Sequence, residues 1–279
     1  MPFARSGEVR IYYELRGRGT PLLLIESWGY SSWMWFRQLE TLAREHTCIV
    51  FDNRGVGLSD KPDEPYTISM MAEDATSVLE DSGLGEAHVL GVSLGGFIAQ
   101  ELAISRPELV RSLVLVSTSC GIRGVPMPLE TFKVLNMPKG TMPLRDWLRM
   151  RLLPAFSERF VAEEPGVVER VLDFYIANKP PTYSIWRQAQ AAASFDSLDR
   201  LDRIRAPTLI VAGSEDKVVP PENARMLLDG IPNSRLVVFK GCGHLLFIER
   251  PGDFNKLILD FLRSVDEGKP ALEPRYEEI

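Results

Sequence analysis

The chain has 279 residues, 45% of them hydrophobic and 25% charged, which excludes bulk disorder and suffices for one large α/β domain with an insertion or for two smaller domains. Thirty-two Lys and Arg against 38 Asp and Glu leave a formal charge of −6, the wrong sign for a phosphate-backbone partner, so no nucleic-acid partner is expected. The first residues lack the apolar run of a secretory leader and no bilayer-spanning apolar stretch occurs, so the expectation is a cytoplasmic protein with no membrane partner.

In chain order, Glu8 to Arg16 and Pro21 to Ile25, joined by Gly17-Arg18-Gly19, read as an antiparallel pair at the start of a sheet. A helix is predicted over Phe36 to Glu45, a strand over Cys48 to Phe51 and a longer helix over Ile68 to Ser82. The strand His88 to Gly91 runs into a helix over Leu94 to Ser105, and a strand follows at Leu113 to Ser117. From Gly121 to Leu201 helical patterns succeed one another with prolines at the joins and no strand between them. This segment, residues 121–200, is expected to be a helical cap inserted into a core domain of residues 1–120 and 201–279. Strands resume at Thr208 to Ala212 and Arg235 to Phe239, alternating with helices over Pro221 to Asp229 and Pro251 to Val265. The charged tail, Asp266 to Ile279, is expected to fray or lie on the surface. The strands lack polar alternation, so both of their faces are covered. The fold class is therefore α/β, with a mainly parallel central sheet, helices on both faces and an inserted helical cap.

Cys48, Cys120 and Cys242 are odd in number and widely spaced, which suits reduced thiols acting as small hydrophobes. The three histidines show no metal-ligand spacing, so neither a metal nor a cofactor is expected. Gly91-Val92-Ser93-Leu94-Gly95-Gly96 lies directly between a strand and a helix. It does not fit the Gly-x-Gly-x-x-Gly dinucleotide loop, but it does fit a serine lifted to the apex of a turn whose neighbours must be small. A serine hydroxyl is a weak nucleophile until a base takes its proton. His46 sits at a helix-to-strand join, where a surface position needs no special account. His88 lies ~16 Å along an extended chain from Ser93, out of reach. His244, in a glycine-bordered loop after the last predicted strand, falls on the same sheet edge as Ser93 and is the candidate base. Asp216, 28 residues ahead of it and just past a strand, is the candidate acid that orients the imidazole. Glu215 is its rival; the chain order Ser, Asp, His favours Asp216.

With these residues in place, the sequence resembles the α/β-hydrolase superfamily from Gly7 to Arg263. The resemblance rests on the Gly91–Gly95 turn, the Asp52–Ser59 segment, Gly213–Pro220 around the acid, Gly241–His244 and the helical cap. It implies two backbone N–H groups that hold a developing oxyanion, and these fall on Trp28 and Leu94. Where relatives read His-Gly, this chain reads Glu26-Ser27-Trp28-Gly29. Glu26 is expected to be protonated by burial or tied to backbone amides and turned away, and it is also a candidate substrate contact. Trp28, Trp147 and Trp186 are the aromatic candidates for lining an apolar substrate pocket. Serine rather than aspartate at position 93 implies acyl chemistry, so the expected substrate is a small to medium hydrophobic ester or lactone. Pro65-Tyr66-Thr67 resembles 3-oxoadipate enol-lactonases, whereas Leu245 stands where carbon–carbon bond hydrolases carry tryptophan. A slow-turnover ligand receptor with the same three residues is the non-enzymatic alternative, and assembly into a homo-oligomer is left open.

Overall fold

Alternate residues of a strand point to opposite faces, and the leucine run at positions 22–25 uses both. In the computed structural model, which describes residues 2–279, Leu22 and Leu24 enter one hydrophobic layer while Leu23 and Ile25 enter the other. Nine strands form the sheet between these layers. They are β1 Phe3–Ser6, β2 Val9–Gly17, β3 Thr20–Ile25, β4 His46–Phe51, β5 Ala87–Val92, β6 Val110–Val116, β7 Thr208–Gly213, β8 Ser234–Phe239 and β9 Tyr276–Glu278. Their order is β1-β2-β4-β3-β5-β6-β7-β8-β9. The β1–β2 and β2–β4 pairs are antiparallel and every other pair is parallel.

The helices are α1 Leu39–Leu42, α2 Ile68–Ser82, α3 Leu94–Ser105, α4 Leu129–Leu135, α5 Leu144–Leu152, α6 Glu158–Glu163, α7 Pro165–Ala177, α8 Thr182–Ser194, α9 Glu222–Gly230, α10 Leu246–Glu249 and α11 Pro251–Asp266. Helices α2, α3 and α9 bury their apolar faces in one layer, and α1, α10 and α11 bury theirs in the other. Helix α2 has the predicted ends: the Thr67 hydroxyl accepts from the Met70 N–H, and Gly83 at φ +69° closes it. Between β6 and β7 run α4 to α8 with no strand of the sheet among them. This excursion leaves and rejoins the sheet domain at one neck, where Ile122 N–H donates to Phe195 and Ser197 N–H to Cys120. Leu148, Leu152, Val171 and Leu172 of the excursion continue the layer that holds α11. No helix among the described residues is long and apolar enough to cross a membrane. The three cysteines are buried free thiols.

Four local expectations need correction. First, β2 and β3 are not a hairpin, because β4 lies between them. Strand β3 is buried on both faces and takes two parallel neighbours, β4 and β5. The Gly17–Gly19 turn presses against the chain entering β4: a Cβ on Gly17 would lie 2.2 Å from the Ala43 carbonyl, and one on Gly19 would lie 2.1 Å from that of Glu45. Second, the tail lies on the surface, as one alternative had it, but it carries a strand that was not predicted, since β9 extends the sheet on β8. Third, the helix expected over Phe36 to Glu45 shrinks to α1. Arg37 and Gln38 instead donate to the carbonyls of Ile248 and Phe247, at 2.6 and 2.7 Å, docking the segment on α10. Fourth, His46 is buried, only 4% exposed.

Candidate active site

The Ser93 turn is shaped by contacts that exclude side chains. A Cβ on Gly91 would lie 2.2 Å from the Gly95 carbonyl, and one on Gly95 would lie 2.2 Å from the Ile25 carbonyl. Between them Ser93 takes φ +55° and ψ −113°, a strained conformation for a residue with a side chain, which costs about 1–3 kcal/mol. The turn is pinned on both sides: Ser93 N–H donates to Val116 at 2.9 Å, and the Thr118 hydroxyl donates to the Ser93 carbonyl at 2.8 Å. Ser117, at the end of the adjacent strand, is the other non-glycine residue with positive φ among the described residues, at +46°. Its hydroxyl donates to the His244 carbonyl at 2.9 Å. Strain at two neighbouring strand ends thus marks one edge of the sheet.

His244 arrives at that edge on the loop after β8. Its Nδ1 lies 2.8 Å from Asp216 Oδ2, and both side chains are buried. The other Asp216 oxygen accepts from the N–H groups of Val218 and Val219, both at 2.8 Å. One carboxylate oxygen is therefore held by backbone and the other faces the ring, leaving Nε2 of the imidazole for chemistry. Glu215 is exposed and does not share this bond. The histidine loop is braced by Glu249, whose Oε1 accepts from the N–H groups of Gly243 and Ser157, each at 2.9 Å.

The loop after β3 supplies Trp28. The peptide N–H groups of Trp28 and Leu94 donate to no group among the described residues. Leu94 opens α3, where the first turn leaves its amides without intrahelical acceptors. Two bonds tie the Trp28–Gly29 loop to α8: the indole N–H of Trp28 donates to Ile185 and the Gly29 N–H to Gln188 Oε1, each at 2.9 Å. Gln188 in turn donates to the Arg54 carbonyl at 3.0 Å. Glu26 is fully buried and tied to one backbone amide. Its Oε1 accepts from Asn53 N–H at 2.6 Å, while burial and the nearby Asp52 charge push its carboxyl well above the usual range.

Ser93, His244 and Trp28 open on one cavity of about 760 Å³, mouth included. The excursion closes it with Leu135, Leu148, Arg151, Leu172 and Tyr175. Burial pushes the phenols of Tyr175 and of Tyr30, another lining residue, upward, keeping both neutral. Of the aromatic and acidic candidates for substrate contact, Trp28 lines the cavity, whereas Glu26, Trp147 and Trp186 do not. Trp186 is 60% exposed on α8, and Trp147 lies beneath the Arg151 guanidinium with its indole N–H bonded to Met137. Sequence reasoning missed Ser117, Arg151 and Gln188. Ser117 had a legible signal, since it ends the strand beside Ser93; Arg151 and Gln188 sit in ordinary amphipathic helices.

The other histidines meet at the opposite sheet edge. His88 Nδ1 lies 2.7 Å from the Ser112 hydroxyl, and its Nε2 lies 3.2 Å from Asp266 Oδ1. Burial drives His88 down to about 4. Donor atoms of His46, His88 and Asp266 fall within 4.8 Å of one another, a convergence that sequence spacing did not reveal. Arg111 Nε donates to the same Asp266 oxygen at 2.7 Å, a fixed positive charge that opposes a cation there.

The sequence profile of the α/β hydrolase fold family matches residues 20–251. A relative named for carbamate hydrolysis, RutD of Azorhizobium caulinodans, is 33% identical over 268 residues, covering 96% of this chain and 100% of that protein. Est816, described as an N-acyl homoserine lactone degrading enzyme, superposes with a TM-score of 0.81 at 31% identity, covering 93% of this chain and 100% of its own. A thermophilic esterase from Thermogutta terrifontis superposes with a TM-score of 0.79 at 28% identity, covering 92% of this chain and 94% of its own. Because the profile match takes in every element that carries Ser93, Asp216 and His244, the chain belongs to the α/β hydrolase fold family.

Proposed function

We propose that the protein is a cytoplasmic serine hydrolase that cleaves small to medium carboxylic esters or lactones through an acyl-enzyme on Ser93. The observation that carries this reading is the 2.8 Å bond from His244 to Asp216, on the loop that shares a cavity with the strained Ser93 turn. Ser93 Oγ attacks the ester carbonyl as His244 Nε2 takes its proton. The carbonyl electron pair moves onto oxygen, where the Trp28 and Leu94 N–H groups receive it; such donors contribute about 3–4 kcal/mol each when judged by removal. Collapse breaks the bond to the leaving oxygen, which takes the proton from His244. Water then attacks the acyl-serine, gives its proton to His244, and releases the acid as Ser93 recovers its hydrogen. Residues 121–200 act as a lid that makes the site apolar. The lactone and ester names of the two structural relatives support this substrate class.

Steady release of 4-nitrophenol from short-chain esters tests the proposal. Ser93→Ala should lower kcat by roughly 10⁴-fold or more. A single equivalent of product without turnover would instead identify a slow receptor, and unchanged turnover in Ser93→Ala would sink the acyl-enzyme.

A further inference from the structure

Helix α5 carries three arginines, and two of them are paired. Arg145 reaches Asp173 at 2.6 Å and Arg149 reaches Glu169 at 2.7 Å, both across to α7. Arg151 makes no hydrogen bond or ion pair to any described residue, and its Nε is buried without a partner. It lies on the helical face that Leu148 and Leu152 also present to the cavity, three residues and one residue away. It is the only Lys, Arg, Asp or Glu among the described residues that line that cavity. The Arg151 guanidinium carbon lies 4.4 Å from the centroid of the Trp147 ring, a cation–π contact that satisfies none of its N–H groups. Arg151 is half-buried, with its Nε fully so, and no carboxylate in the cavity wall offsets its charge.

We infer that Arg151 is the anchor for a carboxylate on the substrate, so that the preferred ester or lactone bears a negatively charged group at the end remote from the scissile carbonyl. The inference rests on the acyl-transfer reading of Ser93 and narrows it. A guanidinium presents a planar fork of donors, which matches a carboxylate at two points. The leucines around it receive the methylene chain between carboxylate and ester. Burial also lowers the Arg151 pKa, the direction that an arriving anion would reverse.

The test compares 4-nitrophenyl hydrogen glutarate with 4-nitrophenyl pentanoate, which end in a carboxylate and a methyl group. Wild type should favour the glutarate half-ester in kcat/KM. Arg151→Met should lower the half-ester to pentanoate ratio roughly 10- to 100-fold, chiefly through KM, and Arg151→Lys should recover part of it. An unchanged ratio in Arg151→Met overturns the inference. Should that variant fail to fold, inhibition of wild type by glutarate and by glutaramide reads the same contact. Inhibition roughly tenfold tighter or more for glutarate supports it, and equal inhibition overturns it. Calorimetry with Ser93→Ala separates the two readings, because glutarate binding needs no turnover. Binding that weakens roughly tenfold or more in the Ser93→Ala, Arg151→Met double variant supports the anchor even if no ester is hydrolysed, and equal binding removes it.

Discussion

Two histidine–aspartate pairs stand at opposite edges of the same sheet, and they differ in what surrounds them. At one edge His244 meets Asp216 at 2.8 Å; at the other His88 meets Asp266 at 3.2 Å. Asp216 has its second oxygen held by two backbone amides and no Lys or Arg bonded to it among the described residues. Asp266 also accepts from the Thr20 hydroxyl and the Arg111 guanidinium. His88 has both nitrogens engaged, one by Ser112 and one by Asp266, whereas His244 lines the cavity that holds Ser93. The pair alone is therefore not the signature of chemistry. An imidazole with one nitrogen bonded to a carboxylate and the other facing a cavity is suited to move a proton; one engaged on both sides is suited to fasten an α-helix to a sheet.

The largest effect should come from cutting each pair in turn. Asp216→Asn is expected to lower kcat about 10⁴-fold with the fold intact, because the ring loses its orienting acceptor and the charge that stabilises imidazolium. Asp266→Asn should leave kcat within about threefold, since it touches no group of the active edge. Equal kinetic losses in the two variants would erase the contrast. A smaller effect should appear in stability. His88 is held neutral, with its folded value near 4 below the ordinary value for histidine, so its contribution is complete above about pH 6.5 and fades as pH falls toward 4. By linkage this is about 3 kcal/mol between pH 7 and pH 4, and urea unfolding of His88→Asn should show that much less acid sensitivity than wild type. Identical pH dependence in the two proteins would count against it. The smallest effect concerns Glu26 on the active edge. Its raised folded value means that its contribution is complete below about pH 4.5 and declines as pH rises. Glu26→Gln keeps an acceptor for Asn53 and should flatten the decline of stability with rising pH in urea unfolding; a pH dependence unchanged from wild type would count against a raised Glu26.

Much of this was legible in the chain, for identifiable reasons. The apolar runs of the central strands and the period of α2 are set by burial on two faces, which leaves a direct trace in residue order. Ser93, Asp216 and His244 were legible as candidates because a tight turn demands glycines and because strand ends on one edge can be counted. Strand β9 was not, since an edge strand is held by backbone pairing to β8 and by charge pairs such as Lys240 with Glu278, neither of which needs an apolar pattern. The insertion of β4 between β2 and β3 was hidden because a glycine turn looks alike whether its flanks pair or part. Trp186 and Trp147 misled for a related reason: residue type reports a preference for burial, not which side of a helix meets a cavity.

The bonds from α8 hold the indole of Trp28, whose peptide N–H is assigned to receive negative charge, and the N–H of its neighbour Gly29. Helix α8 lines no part of the cavity, yet through these two bonds it steadies the loop that carries the assigned donor. A segment that never meets the substrate can thus set the geometry of the groups that do.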